Sequence, residues 1–334
     1  MSHRLRRYIL HLVTNTNYME TTLIIASAEI RALFREKTIY AITGVFLLMT
    51  AAASFISWST FTTADAVYRA SVVYLHARGV VAIPENPLHS IPALVSFDNL
   101  IIYVLLIGAL LAVIIGHRSF MRERRSGILQ VLFTRPVSMR SFIFGKVLGL
   151  GSVLLGVMSI TAIISIASSF LLPLQQISIE DIGHALVFFF LSFLYMLFFA
   201  LCGLLFSIVV KSESLALFIP ICIWVGITFV LPELATGLTP TALLNPVTLL
   251  QLPVAEGFFN TAQHLLSPVS LGWHYTTMSG ELLGSSFRTS FPILRVLTEH
   301  WIEIVTLCAS IFTLVIFSAI ALQRFDPREG SIHE

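Results

Sequence analysis

The chain has 334 residues, of which 56% are apolar and only 11% charged. An ordinary soluble domain carries about 25% charge, so this balance excludes a disordered chain and leaves too little polar surface for a soluble enzyme. A net charge of +2 excludes a nucleic-acid binder with a basic face, and an integral membrane protein remains.

The N-terminus reads MSHRLRRYILHLV. Its basic cluster is like that of a signal peptide, but the apolar stretch behind it is short and broken by His11, and no small-residue cleavage site follows. It reads as an uncleaved cytoplasmic tail. Over 20–37, Leu23, Ile30, Leu33 and Phe34 recur at helical spacing with Ala26 and Ser27, while Glu29, Arg35 and Glu36 lie off that stripe. This predicts an amphipathic helix at the inner interface, so 1–38 is a tail plus an interfacial helix.

A membrane-crossing helix needs about 20 mostly apolar residues. Six segments qualify: 39–57, 100–116, 147–172, 185–210, 215–231 and 302–322. The runs are continuous rather than alternating, which argues against a barrel. The fold class is therefore all-α, a polytopic membrane protein with six transmembrane helices. Spans one to five occupy 39–231, an extended outer loop fills 232–301, and the sixth span and a tail fill 302–334. Six basic residues fall in 1–38, seven in 117–146, one in 211–214 and two in 323–334, against four elsewhere. The positive-inside rule then places both termini in the cytoplasm.

The outer segment 58–99 carries Pro84, Pro87 and Pro92. The loop 232–301 holds apolar stretches at 242–252 and 258–266, too short to span, which suit short helices on or in the outer leaflet. Trp273 and Tyr275 read as an aromatic pair at a headgroup boundary. Cys202, Cys222 and Cys308 all lie in apolar runs and read as buried small hydrophobes. Thr161, Ser165 and Ser168 share one face of the third span. They either line a pathway or hydrogen-bond within the bundle. Gly145-x-x-x-Gly149 invites close packing of another helix, and no ionisable residue sits at a membrane midplane.

The connection 117–146 is the richest segment. Arg122, Glu123, Arg124 and Arg125 come first and would project into the cytoplasm. Gly127 follows, then a short helix over 128–133 with Ile128, Leu129 and Leu132, then the stop at Pro136. On charge alone, such a loop is equally the ordinary positive-inside signal. No Walker A loop is present: Gly145-Lys146 is a near match, with Arg140 for the first glycine and Val147 for the hydroxyl residue. His-Glu-x-x-His and Gly-x-Ser-x-Gly are also absent.

At Glu123, Gly127, Leu129, Leu132, Pro136, Ser138, Gly145 and Lys146 the chain resembles permease subunits of type-2 ATP-binding-cassette (ABC) exporters. Within them it is most similar to the branch containing the permease of the nitrous-oxide-reductase maturation transporter and gliding-motility permeases. Asn245-Pro246 resembles an Asn-Pro found after the fifth span in that branch. Gln130 departs from the pattern, where an acidic residue is common, and the outer loops are longer than in short members.

The resemblance implies that the loop between spans two and three is a coupling helix seated in a groove of a cytoplasmic ABC ATPase. Arg122–Arg125 would then meet acidic groups on the ATPase, Ile128, Leu129 and Leu132 would fill the groove, and the N-terminal helix would brace the loop. It implies a second permease, copy or paralogue, in a bacterial or archaeal inner membrane. It also implies ATP and Mg bound by the ATPase and no cofactor in this chain. The apolar stretches of 232–301 separately predict short helices over the outer mouth, acting as a lid or as a dock for an extracytoplasmic partner, and the small net charge predicts no nucleic-acid partner. The rival readings are a membrane anchor or assembly protein and an intramembrane enzyme. Weakly polar span faces favour a lipidic or amphipathic cargo.

Overall fold

A computed structural model of the chain describes residues 3–82, 84–127, 129, 138–172, 177–232, 270–284 and 292–325. Among the described residues all regular elements are helical. They are α1 (His3–Leu33), α2 (Lys37–Ala77), α3 (Ala93–Arg125), α4 (Met139–Ser169), α5 (Ile179–Val209), α6 (Glu213–Val230), α7 (Leu271–Leu282), α8 (Ile293–Glu299) and α9 (Trp301–Gln323). Six of them, α2 to α6 and α9, are long and apolar enough to cross a membrane. These are the six runs read from the sequence, and the protein is an all-α integral membrane protein.

Two spans are far longer than expected, and α4 and α5 each begin several residues earlier than the apolar runs. α2 has 41 residues, about 60 Å at 1.5 Å per residue, twice a hydrocarbon core of about 30 Å. No Gly or Pro interrupts it between Gly44 and Gly79, where the chain turns off with φ +77°. The returning chain is fastened to this extension. Ser57 Oγ donates to Ser96 O at 2.6 Å, and Asn86 donates to Asp65 at 3.2 Å. α3 likewise continues past Gly116 to Arg125. It contains a π-helical segment, Val104–Gly108, where the Leu105 carbonyl accepts the Trp224 indole N–H of α6 at 2.8 Å.

Local chemistry sets the ends that matter. α3 stops because Gly127 adopts φ +68°, a left-handed exit that costs glycine nothing. α4 starts because Ser138 Oγ accepts the Ser141 N–H at 3.1 Å. α5 starts on a capping box between Ser178 and Asp181.

α5 is the centre of the bundle and packs on α3, α4, α6, α7 and α9. In its most apolar stretch 72% of residues are buried, against 11% for α9. α2, α6 and α9 thus leave most of their apolar surface open to lipid or to another chain. α3 and α5 touch backbone to backbone. A Cβ on Gly116 would lie 1.8 Å from Ala200 O, and one on Gly203 would lie 2.3 Å from Val113 O. Glycine at these two positions lets the helices meet without side chains between them.

Several details overturn expectations. α1 packs along α4, with Ile25 against Gly145 and Glu29 against Gly149. Its buried line is Thr22, Ala26, Glu29 and Leu33, whereas Leu23 and Phe34 are exposed. Glu29, expected on the polar face, is therefore on the packed face, because the α4 glycines give α1 a protein groove as well as a lipid surface. Cys202 is buried, but Cys222 and Cys308 are exposed on the outward sides of α6 and α9. Tyr275 is an interior residue, not a headgroup anchor. α7 inserts against α5 and the end of α6, Tyr275 stacks on Tyr195 at 4.7 Å, and its hydroxyl meets Ser192 at 2.8 Å. The stretches 242–252 and 258–266 and the pair Asn245-Pro246 lie outside the described residues.

Candidate functional site

The end of the bundle where α3 and α5 finish and α4 and α6 begin concentrates the charged side chains of the spans. We call it the basic end. Its hub is the last turn of α3, Arg122 to Arg125, whose four charged residues reach in two directions.

Toward α1 and α4, Lys146 is the organising group. Its side chain is fully buried, and its ammonium meets Glu29 at 2.5 Å, Glu123 at 2.5 Å and the Ser119 carbonyl at 2.9 Å. An ammonium has three N–H donors, and all three are used. Arg122 meets the same Glu29 oxygen at 3.1 Å. Two cations and two carboxylates make a neutral quartet, which is how charges are tolerated away from water.

Toward α5, α6 and α9, Arg124 is 5% exposed and donates to the Val210 carbonyl at 2.6 Å and to the Ser207 carbonyl at 3.4 Å. These are backbone acceptors at the end of α5, where a helix leaves its last carbonyls unpaired. A cation there also suits the negative pole of the helix dipole. The Arg124 guanidinium lies 5.9 Å over the Phe325 ring. Arg125 pairs with Glu213 at the start of α6, at 2.8 Å through Nε. Two turns before Arg124 on α3, His117 Nδ1 and Ser207 Oγ are 2.9 Å apart, beside the Gly116–Gly203 contact.

Each of Arg122–Arg125 has a partner within the chain, Arg122, Glu123 and Arg124 at least half-buried and Arg125 with 56% of its side chain exposed. Because α3 stays helical to Arg125, these side chains can reach α1, α4, α5 and α6. Leu129 is 3% exposed and belongs to the protein's own core. Gly127 adopts a left-handed conformation at the end of α3. Ile128 and Leu132 lie outside the described residues. Thr161 and Ser165 are fully buried among the chain's own helices, and Thr161 hydrogen-bonds back to Val157 O at 3.0 Å. Ser168 is half-buried and bonds to Ser165 O at 2.7 Å. Thr161 and Ser165 thus line no open passage within a single chain.

Glu213, Ser207 and His117 were not singled out from the sequence, and Glu29 and Lys146 were read there only as a polar-face residue and as part of a Gly-Lys motif, not as partners. A signal existed for two of them. Glu29 continues the 22, 26, 33 spacing of one helix face, and Lys146 is a lone cation a turn into an apolar helix behind Gly145.

At the opposite end a smaller cluster joins α7 to α9. His300 meets Glu281 at 2.8 Å and Glu303 at 3.3 Å. Burial works against a charge on His300. The hydrogen bonds and negative charge of the two carboxylates outweigh it and raise its pKa above the usual 6.5.

Comparison with known proteins adds one assignment. Residues 23–329 match the family described as "ABC-2 family transporter protein". No curated protein matches the chain.

Proposed function

Because the chain belongs to the ABC-2 family of transporter proteins, we propose that it is the permease half of an exporter driven by a separate cytoplasmic ATPase. Membership makes it a membrane permease component of an ABC transporter rather than the catalytic subunit, and it implies association with ABC ATPase subunits. The finer reading is as follows. The basic end faces the cytoplasm, in keeping with the positive-inside rule. ATP and Mg are bound by the ATPase. The segment 128–137, between α3 and α4, meets the ATPase, and two permeases form the pathway. The open apolar sides of α2, α6 and α9 support a second permease as partner. The pattern from Glu123 to Lys146 supports the branch of the nitrous-oxide-reductase maturation and gliding-motility permeases.

The observation that carries this reading is the hub. A force applied just after Gly127 acts on the last turn of α3, which is ion-paired to α1, α4 and α6 and hydrogen-bonded to the backbone at the end of α5. One local push then reaches five helices together. A two-state rearrangement of that kind is what coupling requires.

The test uses Leu132→Asp and Leu129→Asp in the chain co-expressed with its ATPase. Leu132→Asp should reduce the co-purifying ATPase by about tenfold or more, as loss of an interface anchor does. Leu129→Asp should instead lower the yield of the permease itself, because Leu129 is a core residue. Normal ATPase recovery with Leu132→Asp would remove 128–137 from the coupling interface.

A further inference from the structure

At the basic end, the last turns of α5 and α9 stand apart and leave a cleft of about 460 Å³. Its lining is of two kinds. Arg124, Lys211 and Arg324 are among its lining residues, and no carboxylate is among the described residues that line it. The remainder is apolar, including Val209, Phe317 and Ile320, which are 58%, 53% and 41% exposed. The cleft belongs to the ends of two membrane-spanning helices, the level at which lipid headgroups meet acyl chains.

Arg124 gives a second, independent indication. It is buried and lines this cleft, yet its Nε makes no hydrogen bond within the described structure. A buried guanidinium N–H without an acceptor is costly. Turned toward the cleft, it would find one in an anionic oxygen, in the charge-assisted geometry that arginine favours.

We propose that this cleft between α5 and α9 binds one anionic phospholipid from the leaflet at the basic end, its phosphate held by Arg124, Lys211 and Arg324 and its acyl chain laid along Val209, Phe317 and Ile320. A free phosphate ion shares the headgroup chemistry but would leave the apolar wall uncovered. A zwitterionic lipid would cover the wall but bring an ammonium group among three cations. Neither matches both halves of the cleft. The assignment does not depend on the transport reading, because it concerns the chain alone.

The experiment is native mass spectrometry of the purified full chain in detergent. It is titrated in separate arms with dioleoylphosphatidylglycerol, dioleoylphosphatidylcholine and inorganic phosphate. The expected result is one retained phosphatidylglycerol, bound in preference to phosphatidylcholine and not displaced by millimolar phosphate. Arg324→Gln, at an exposed position, should cut that preference about fivefold, the worth of one basic side chain at an anionic surface. Ile320→Trp should fill the cleft and lower occupancy by either lipid, while Arg69→Gln on the α2 extension should change nothing. Equal retention of the two lipids, an unchanged preference in Arg324→Gln, or displacement by phosphate would each overturn the proposal.

Discussion

Lys146 and Glu29 stand 117 residues apart in the chain and meet as a buried ion pair at 2.5 Å. Their side chains are 0% and 1% exposed. α1 is therefore part of the bundle rather than a float on the membrane. Its attachment combines a glycine groove, which admits the helix, with a charge pair, which fixes its position along the groove.

Removing one partner of a buried pair strands the other, typically at about 3–5 kcal/mol. Lys146→Met should be the harsher change, since it leaves both Glu29 and Glu123 without their shared cation. Glu29→Gln should be milder, because Lys146 keeps Glu123 and the Ser119 carbonyl. Thermal unfolding in detergent would show the ranking. Equal melting temperatures for Lys146→Met and the parent chain would mean that the quartet does not hold α1.

The glycine contacts predict an ordered series. Gly203→Ala places a methyl 2.3 Å from the Val113 carbonyl, and backbone cannot swing aside. Overpacking of this kind costs about 1–3 kcal/mol. Gly156→Ala meets nothing within 4 Å and should be neutral or stabilising by up to about 1 kcal/mol from helix propensity. The same melting assay reads both, and a Gly203→Ala chain as stable as Gly156→Ala would contradict the close contact of α3 with α5.

Arg124 and Arg125 are neighbours with different expected weights. Arg125 and Glu213 keep 56% and 27% of their side-chain surfaces exposed, so the pair should contribute less than about 1 kcal/mol and weaken with salt. Arg124 is buried on two carbonyls of α5, so Arg124→Gln should cost several times more and show little salt dependence. Melting curves at low and high salt separate the two cases. Similar, salt-sensitive losses for both would place Arg124 at the surface.

His300 predicts a pH dependence at the far end. Its pKa is raised in the folded chain. The stabilisation is therefore complete below the ordinary value of 6.5 and is lost as pH rises through the higher folded value. Heating at mildly acidic and mildly alkaline pH should give a higher melting temperature in acid, and His300→Gln should flatten that difference. An unchanged slope in His300→Gln would assign the pH effect to other groups.

What the sequence made legible is what local chemistry decides. Twenty-residue apolar runs mark spans without knowledge of their neighbours, but the true ends at Gly127 and Ser138 lie in polar sequence beyond those runs and were not read. The hub was less legible. Glu29 and Lys146 find each other only through tertiary packing, and Arg124 bonds to backbone carbonyls, which have no sequence signature at all. Leu129 was ambiguous for a different reason: an apolar residue after a helix end suits a partner's groove as well as the protein's own core. The reach of α2 to Ala77 could have been read from the absence of any breaker after Ser57.

During synthesis, Glu29 reaches the membrane long before Lys146 has left the ribosome. Arg122 is made first and can serve as an early counter-ion, but the glycine groove that receives α1 exists only once α4 has been inserted. The first helix of the chain is thus among the last to take its place. A nascent chain halted after α3 would carry α1 as an undocked amphipathic segment, open to chaperones, to lipid and to proteases, and its burial would report that the third span had arrived.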